Sequence, residues 1–225
     1  MRSLVKLLAV LLVSAPAWAL NLSDFTQGEA TGGLKEALTQ GAGKAVDLLG
    51  REGGFMDNPK VRIALPEILA KSEPLLRTMG KGDQLDKLVA TMNRAAEEAV
   101  PKARPLLMDA VKEMSVDDAK QILSGGDDSV TRYFKEKTAG KLAELFEPAV
   151  KQSTDSLSVS KTYNKLAGKG AGFGLLKEED AKVESYVTRK ALDGLYLMIA
   201  EQEKAIRKDP VGAAGALAKK VFGAL

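Results

Sequence analysis

The chain has 225 residues, is 45% hydrophobic and 28% charged, and carries a formal net charge of +3. It contains no cysteine and no histidine. That composition excludes disulfide stapling, thiolate and imidazole catalysis, haem–histidine ligation and zinc sites built on Cys or His, and the weak positive balance gives no field for nucleic acid.

The first residues, MRSLVKLLAVLLVSAPAWAL, place Arg2 and Lys6 before a short apolar run from Leu7 to Val13. Ala17-Trp18-Ala19 then supplies a small-x-small cleavage signature, so a secretory signal peptide cut after Ala19 is expected. The apolar stretch is interrupted by Ser14, Pro16 and Asn21 and is shorter than the roughly 20 residues a membrane span needs. No transmembrane segment is therefore expected in the mature chain, which is assigned to the periplasm. Loss of Arg2 and Lys6 with the signal lowers the formal charge from +3 to +1. The remaining length suits one domain able to bury about 70% of its unfolded surface, and without disulfides its core must hold it alone.

Residues 20–32 are polar and glycine-containing and predict a mobile mature N-terminus, with a single helical domain over 33–225. Leu34, Leu38, Ala42, Ala45 and Leu49 recur at helical spacing until Gly50, Gly53 and Gly54. Val61, Ile63 and Leu65 then alternate with Lys60, Arg62 and Ala64, the period of an extended segment between Pro59 and Pro66. Pro66 suits the first turn of a helix reaching Met79. Leu85, Leu88, Val89, Met92 and Ala96 mark the next helix, which Pro101 and Pro105 kink or restart on its way to Met114. Ser115 and Asp118 read as a capping box for a helix ending before Gly125-Gly126. Another helix is expected from Ser129 to about Phe146, with Pro148 bending its end, then a polar link over 153–160 and a short helix over 162–167. GKGAGFG (168–174) predicts a loop, residues 178–207 the longest helix, and Asp209-Pro210 a last helix to Phe222. The pattern specifies an all-α fold, a bundle of eight to nine helices with at most one short extended segment near 60–65.

The stretch GGDDSVTRYFKEK (125–137) raises the question of a metal or phosphate loop. An EF-hand needs alternating oxygen ligands and a distal Glu; here the acids are adjacent and follow the glycines. A phosphate cradle needs Gly-rich backbone before Lys-Ser/Thr, and two carboxylates repel phosphate. The stretch reads as a helix stop at Gly125-Gly126 followed by a cap from Asp127 or Asp128. Its functional alternative places both acids beside Arg132 and Tyr133. GAGKA (41–45) fails as a Walker loop because Leu38 replaces the required glycine and Ala45 follows the lysine. GKGAGFG fails as a dinucleotide fingerprint because Phe173 stands at the third glycine.

From Ala191 to Ala200 the long helix is apolar on every side except Asp193, which predicts a central position and pairing of Asp193 with Arg189 or Lys190. Glu201, Glu203 and Arg207 read as a solvated charged face, Glu203 and Arg207 having the favoured i,i+4 order. Arg62 reads as a surface charge able to pair with Glu67 across Pro66.

GLKEAL (33–38), NPKVRIALPE (58–67), MNRAAE (92–97), DDAKQILSGGDDSVTRYF (117–134) and YVTRKALDGLYLMIAEQEKAIRKDP (186–210) are long specific motifs. Through them the chain, from about Gly33 to Gly223, resembles the domain-of-unknown-function family numbered 4197, exported bacterial proteins. The resemblance implies a helical periplasmic domain and carries over no catalytic residues. Its matching polar positions are Arg62, Glu67, Asp127, Asp128, Tyr133, Tyr186, Lys190, Asp193, Glu201 and Arg207.

Two functions follow as expectations. One is a non-enzymatic periplasmic protein that binds an apolar small molecule or an envelope protein, with Arg62, Glu67, Tyr133 and Arg207 as candidate binding residues. The other is an enzyme built on carboxylates, with or without a divalent cation, acting on an envelope component. Its acids are Asp127, Asp128, Asp193 and Glu201, helped by Lys190 or Tyr186, and it requires two acids in one cleft. No cofactor and no dedicated metal site are implied.

Overall fold

Each helical run ends where glycine, proline or a cap interrupts it. The computed structural model describes residues 27–172 and 181–209. Among them are eight α-helices and one 3-10 turn: α1 (Gln27–Gly50), α2 (Glu67–Thr78), α3 (Gly82–Ala99), the turn Val100–Lys102, α4 (Ala103–Glu113), α5 (Val116–Ser124), α6 (Ser129–Thr154), α7 (Ser158–Gly172) and α8 (Val183–Lys208). No strand occurs among the described residues, so the fold is all-α as expected. The partition into eight to nine helices was slightly off: the run expected over 84–114 is two helices parted by the turn at Pro101, and the helix expected at 210–222 lies outside the described residues. The expected signal peptide and its expected cleavage point at Ala19 lie outside them as well.

Three boundaries differ from expectation. α1 begins at Gln27, so the end of the segment read as mobile is helical. α6 runs through Pro148 to Thr154, taking in the start of the polar link. α7 extends to Gly172, so the first part of GKGAGFG is helix; the rest lies outside the described residues. Ser115 and Asp118 do form the capping box, the Ser115 N–H donating to Asp118 Oδ2 at 3.0 Å and the Asp118 N–H to Ser115 Oγ at 3.1 Å.

α6 and α8 form the most extensive helix pair, and α1 and α3 pack against it. Their direction can be read from contacts in opposed order: Val130 meets Glu203 at 3.3 Å, Thr138 meets Tyr196 at 2.9 Å and Ser185 meets Glu147 at 3.2 Å. The two helices are therefore antiparallel. Between them and α1 lies the core, with Leu34, Leu49, Phe134, Leu142, Phe146, Val187 and Leu195 all 0% exposed. Asn164 of α7 starts α8, accepting from the Val183 N–H at 2.8 Å.

The segment between α1 and α2 is not a strand, yet the alternation holds: Val61 and Ile63 are buried, Arg62 and Ala64 exposed. Asn93 replaces a neighbouring strand. The Ile63 N–H donates to Asn93 Oδ1 at 2.8 Å, and Asn93 Nδ2 donates to the carbonyls of Ile63 at 2.9 Å and Val89 at 2.8 Å. One turn on, the buried Glu97 carboxylate accepts the N–H groups of Phe55 at 3.0 Å and Met56 at 3.2 Å. Gly53 adopts φ +75°, and a Cβ on Gly54 would stand 2.4 Å from the Leu49 carbonyl oxygen, so both positions demand glycine. Asn93→Ala leaves the Ile63 N–H and carbonyl buried without partners. We expect it to cost about 2–3 kcal/mol in urea denaturation; a loss well under about 1 kcal/mol would show that the segment is held by its apolar side chains alone.

Candidate functional site

The residues singled out from sequence fall into local pairs. Asp128 stands at the start of α6 without a side-chain capping bond and instead pairs with Arg132 at 2.8 Å; Asp127 is exposed beside it. Asp193 is exposed, 3.9 Å from Arg189. Arg189 is thus the partner, but the expected burial of Asp193 inside an all-apolar helix is corrected. Leu197, one turn on, is 40% exposed, so α8 keeps a solvent stripe that its sequence conceals. Glu201 pairs with Lys60 at 2.7 Å, and that hydrogen bond holds its carboxyl below the ordinary glutamate range. Asp193 and Glu201 lie about 12 Å apart along the helix axis.

Glu67 pairs with Lys71 at 2.6 Å rather than with Arg62, which faces solvent. The Tyr186 hydroxyl donates to the Ala64 carbonyl at 3.1 Å, with the Arg189 and Lys190 cations over its ring at 5.5 and 5.9 Å. The Tyr133 hydroxyl donates to the Ala110 carbonyl at 2.6 Å, and burial pushes its pKa up to about 12, so it stays a donor. Among the described residues no three acidic groups gather where they would hold a metal ion.

The residues that do converge are Glu203, Arg207 and Ser129. The expectation of a solvated Glu203–Arg207 face is overturned: the Glu203 side chain is 1% exposed and that of Arg207 16%. Glu203 Oε1 accepts from Arg207 Nε at 3.2 Å and Nη2 at 3.1 Å, and from the Val130 N–H at 3.3 Å. Arg207 Nη2 also donates to the Ile122 carbonyl at 3.2 Å and to Ser129 Oγ at 2.9 Å. Ser129 Oγ in turn donates to the Ile122 carbonyl at 2.9 Å. One ion pair on α8 thus ties the end of α5 to the beginning of α6, which is why GGDDSV closes as a tight turn.

Among the described residues Glu203 Oε2 has no hydrogen-bond partner. The residue borders an apolar cavity of about 10 Å³ between α1, α6 and α8, with Leu38, Gly41, Val130, Phe134 and Ile206. Burial pushes the Glu203 carboxyl above the ordinary glutamate range, against the opposing pull of Arg207 and the Val130 N–H. Gly41 and Ile206 also border an open polar groove of about 380 Å³ that includes Lys44, Gln202 and the ion pair Arg104–Asp47. Chemically the junction offers one buried carboxylate oxygen able to take a proton. The Ser129 hydroxyl stands between the Ile122 carbonyl at 2.9 Å and Glu203 Oε1 at 3.4 Å. A signal for Glu203 existed in the sequence: Ile199, Glu203 and Ile206 share one helical stripe, so the charge sits where an apolar residue belongs.

These features define a helical domain, without a strand among the described residues, whose inter-helix turns are pinned by buried polar residues. The chain belongs to the family described as Protein of unknown function (DUF4197), whose profile matches residues 24–223. No curated protein and no solved structure matches the chain. The family motifs meet in space at two places. NPKVRIALPE, MNRAAE and the first turn of α8 meet around Asn93 and Tyr186, and DDAKQILSGGDDSVTRYF meets the end of α8 at Glu203.

Proposed function

We propose that this is an exported, periplasmic domain that works without catalysis, by docking α2 into an apolar groove on a protein of the cell envelope. The observation that carries the reading is α2 itself. It buries no residue and packs principally on α3. On its outer flank Leu75 is 64% exposed, Met79 63% and Ile68 37%, spaced as anchors of a helix that lies in a groove. The surrounding charges cancel locally: Lys71 pairs with Glu67, and Arg77 bridges Glu73 at 2.8 Å and Asp86 at 2.6 Å. A neutral rim around apolar anchors suits a protein surface better than anionic lipid.

An apolar small molecule has less support, since the apolar cavity of about 10 Å³ is far below the few hundred Å³ of a ligand pocket. The enzyme reading has less again, because Asp128, Asp193 and Glu201 hold separate partners and Asp127 is exposed at the surface.

A photo-crosslinking residue placed at Leu75, and separately at Met79, of the full chain expressed in cells tests the proposal. We expect both positions to yield the same adduct, on protein whose mass shows cleavage after Ala19. Leu75→Asp should abolish the adduct formed from position 79, and a crosslinker at exposed Glu136 should not form it. Adducts with a second copy of the chain, binding of the purified domain to lipid vesicles, or an unprocessed cytoplasmic chain would each overturn it.

A further inference from the structure

The donors around Glu203 are unevenly placed. Arg207, the Val130 N–H and the Ser129 hydroxyl converge on Oε1, while Oε2 is buried and has no hydrogen-bond partner among the described residues. A carboxylate buried this way carries part of its charge on an oxygen without a hydrogen bond, which is costly. Protonation at Oε2 removes that charge without disturbing the bonds on Oε1, which still accepts. The groups facing the carboxyl from each neighbouring element are few. Arg207, on its own helix, is the charged group it touches; α6 presents Ser129 and Val130; α5 is reached through the Ile122 carbonyl; α1 contributes Leu38 and Gly41. The nearby charges of the turn, Asp128 and Arg132, neutralise each other at the surface.

We propose that Glu203 is a proton-binding switch that couples the seating of the α5–α6 junction on α8 to pH. With Oε2 protonated the junction is closed; with the carboxylate ionised it opens more often, because only the opened junction lets water reach Oε2. The direction of the carboxyl shift agrees with this geometry. A group that binds its proton more tightly in the closed state contributes stability that is complete below the ordinary glutamate pKa. That contribution is lost as pH rises through the closed-state value. Asp127 and Asp128, on the turn itself, then become free to move with it.

The test is a pH series on the full mature chain with two readouts. The first is the carbon-13 NMR titration of the Glu203 side-chain carboxyl. The second is amide hydrogen exchange at Ser129 and Val130, corrected for intrinsic chemistry, in the wild type and Glu203→Gln. We expect Glu203 to titrate above the ordinary glutamate range. Opening at Val130 should grow by up to roughly tenfold per pH unit between the ordinary and the closed-state values and then level off. In Glu203→Gln the opening should not depend on pH. A Glu203 titration at or below the ordinary range, or the same pH course in both proteins, overturns the switch. If Glu203→Gln does not fold, the wild-type titration decides alone.

Discussion

Glu203→Ala should destabilise the domain by about 3–5 kcal/mol, one of the two largest effects expected here. Removal of the carboxyl group leaves the Arg207 guanidinium, 16% exposed, without the acceptor that Oε1 supplies in either protonation state. Arginine cannot relieve this by losing its proton. The Val130 N–H also loses its acceptor, and the α5–α6 turn loses the tie that crosses to α8. The pair itself is not required for stability, however, because burial costs it much of its electrostatic gain. The double change Glu203→Leu with Arg207→Met should therefore recover most of the loss, while Glu203→Leu alone should not. Urea midpoints for the single and double variants measure the coupling directly. If the two single losses simply add, Glu203 and Arg207 do not act as a pair and the account of the turn fails.

Phe55→Ala is the second large effect, expected at about 3–5 kcal/mol. Phe55 is 0% exposed, and its ring occupies the notch that Gly194 leaves in α8. A Cβ on Gly194 would stand 2.8 Å from Phe55 Cε1 and 3.3 Å from Val61 Cβ. That contact decides the sign of a simple substitution. In an unobstructed helix Gly→Ala gains up to about 1 kcal/mol, whereas here Gly194→Ala should destabilise by about 1–3 kcal/mol through overpacking. In a Phe55→Ala background the same change should become neutral or stabilising. Thermal unfolding of the four proteins checks the cycle; a Gly194→Ala that stabilises the wild type would mean the ring has room elsewhere. Because Phe55 anchors the segment that leads into α2, its loss should also weaken the envelope adduct formed at Leu75.

Most of the helical architecture was legible before folding was considered. Apolar residues at 3.6-residue spacing, stopped by Gly50, Gly80 and Gly125, locate α1 to α6 because a helix period and a glycine stop are local properties of the chain. The capping box at Ser115 and the alternation of Val61 and Ile63 were equally local. That Asp193 would pair with Arg189 or Lys190 followed from helix spacing, and the structure selects Arg189.

Which polar residues are buried was decided only by tertiary packing. Periodicity shows that a helix has an apolar face, but not how much of its circumference its neighbours cover. α8 appears apolar all round near Asp193, yet its neighbours leave the stripe through Asp193 and Leu197 in solvent. Ten residues on, α1 and α6 close over a face that carries Glu203. Asn93 and Glu97 are alike: in MNRAAE they resemble surface residues, and they become core because a turn from elsewhere in the chain brings unpaired N–H groups to them. The sequence by itself determined an all-helical chain lacking thiol and imidazole chemistry. Tertiary structure alone decided that Glu203 is buried and Asp193 exposed, because desolvation depends on what other helices bring against a side chain rather than on its own neighbours in sequence.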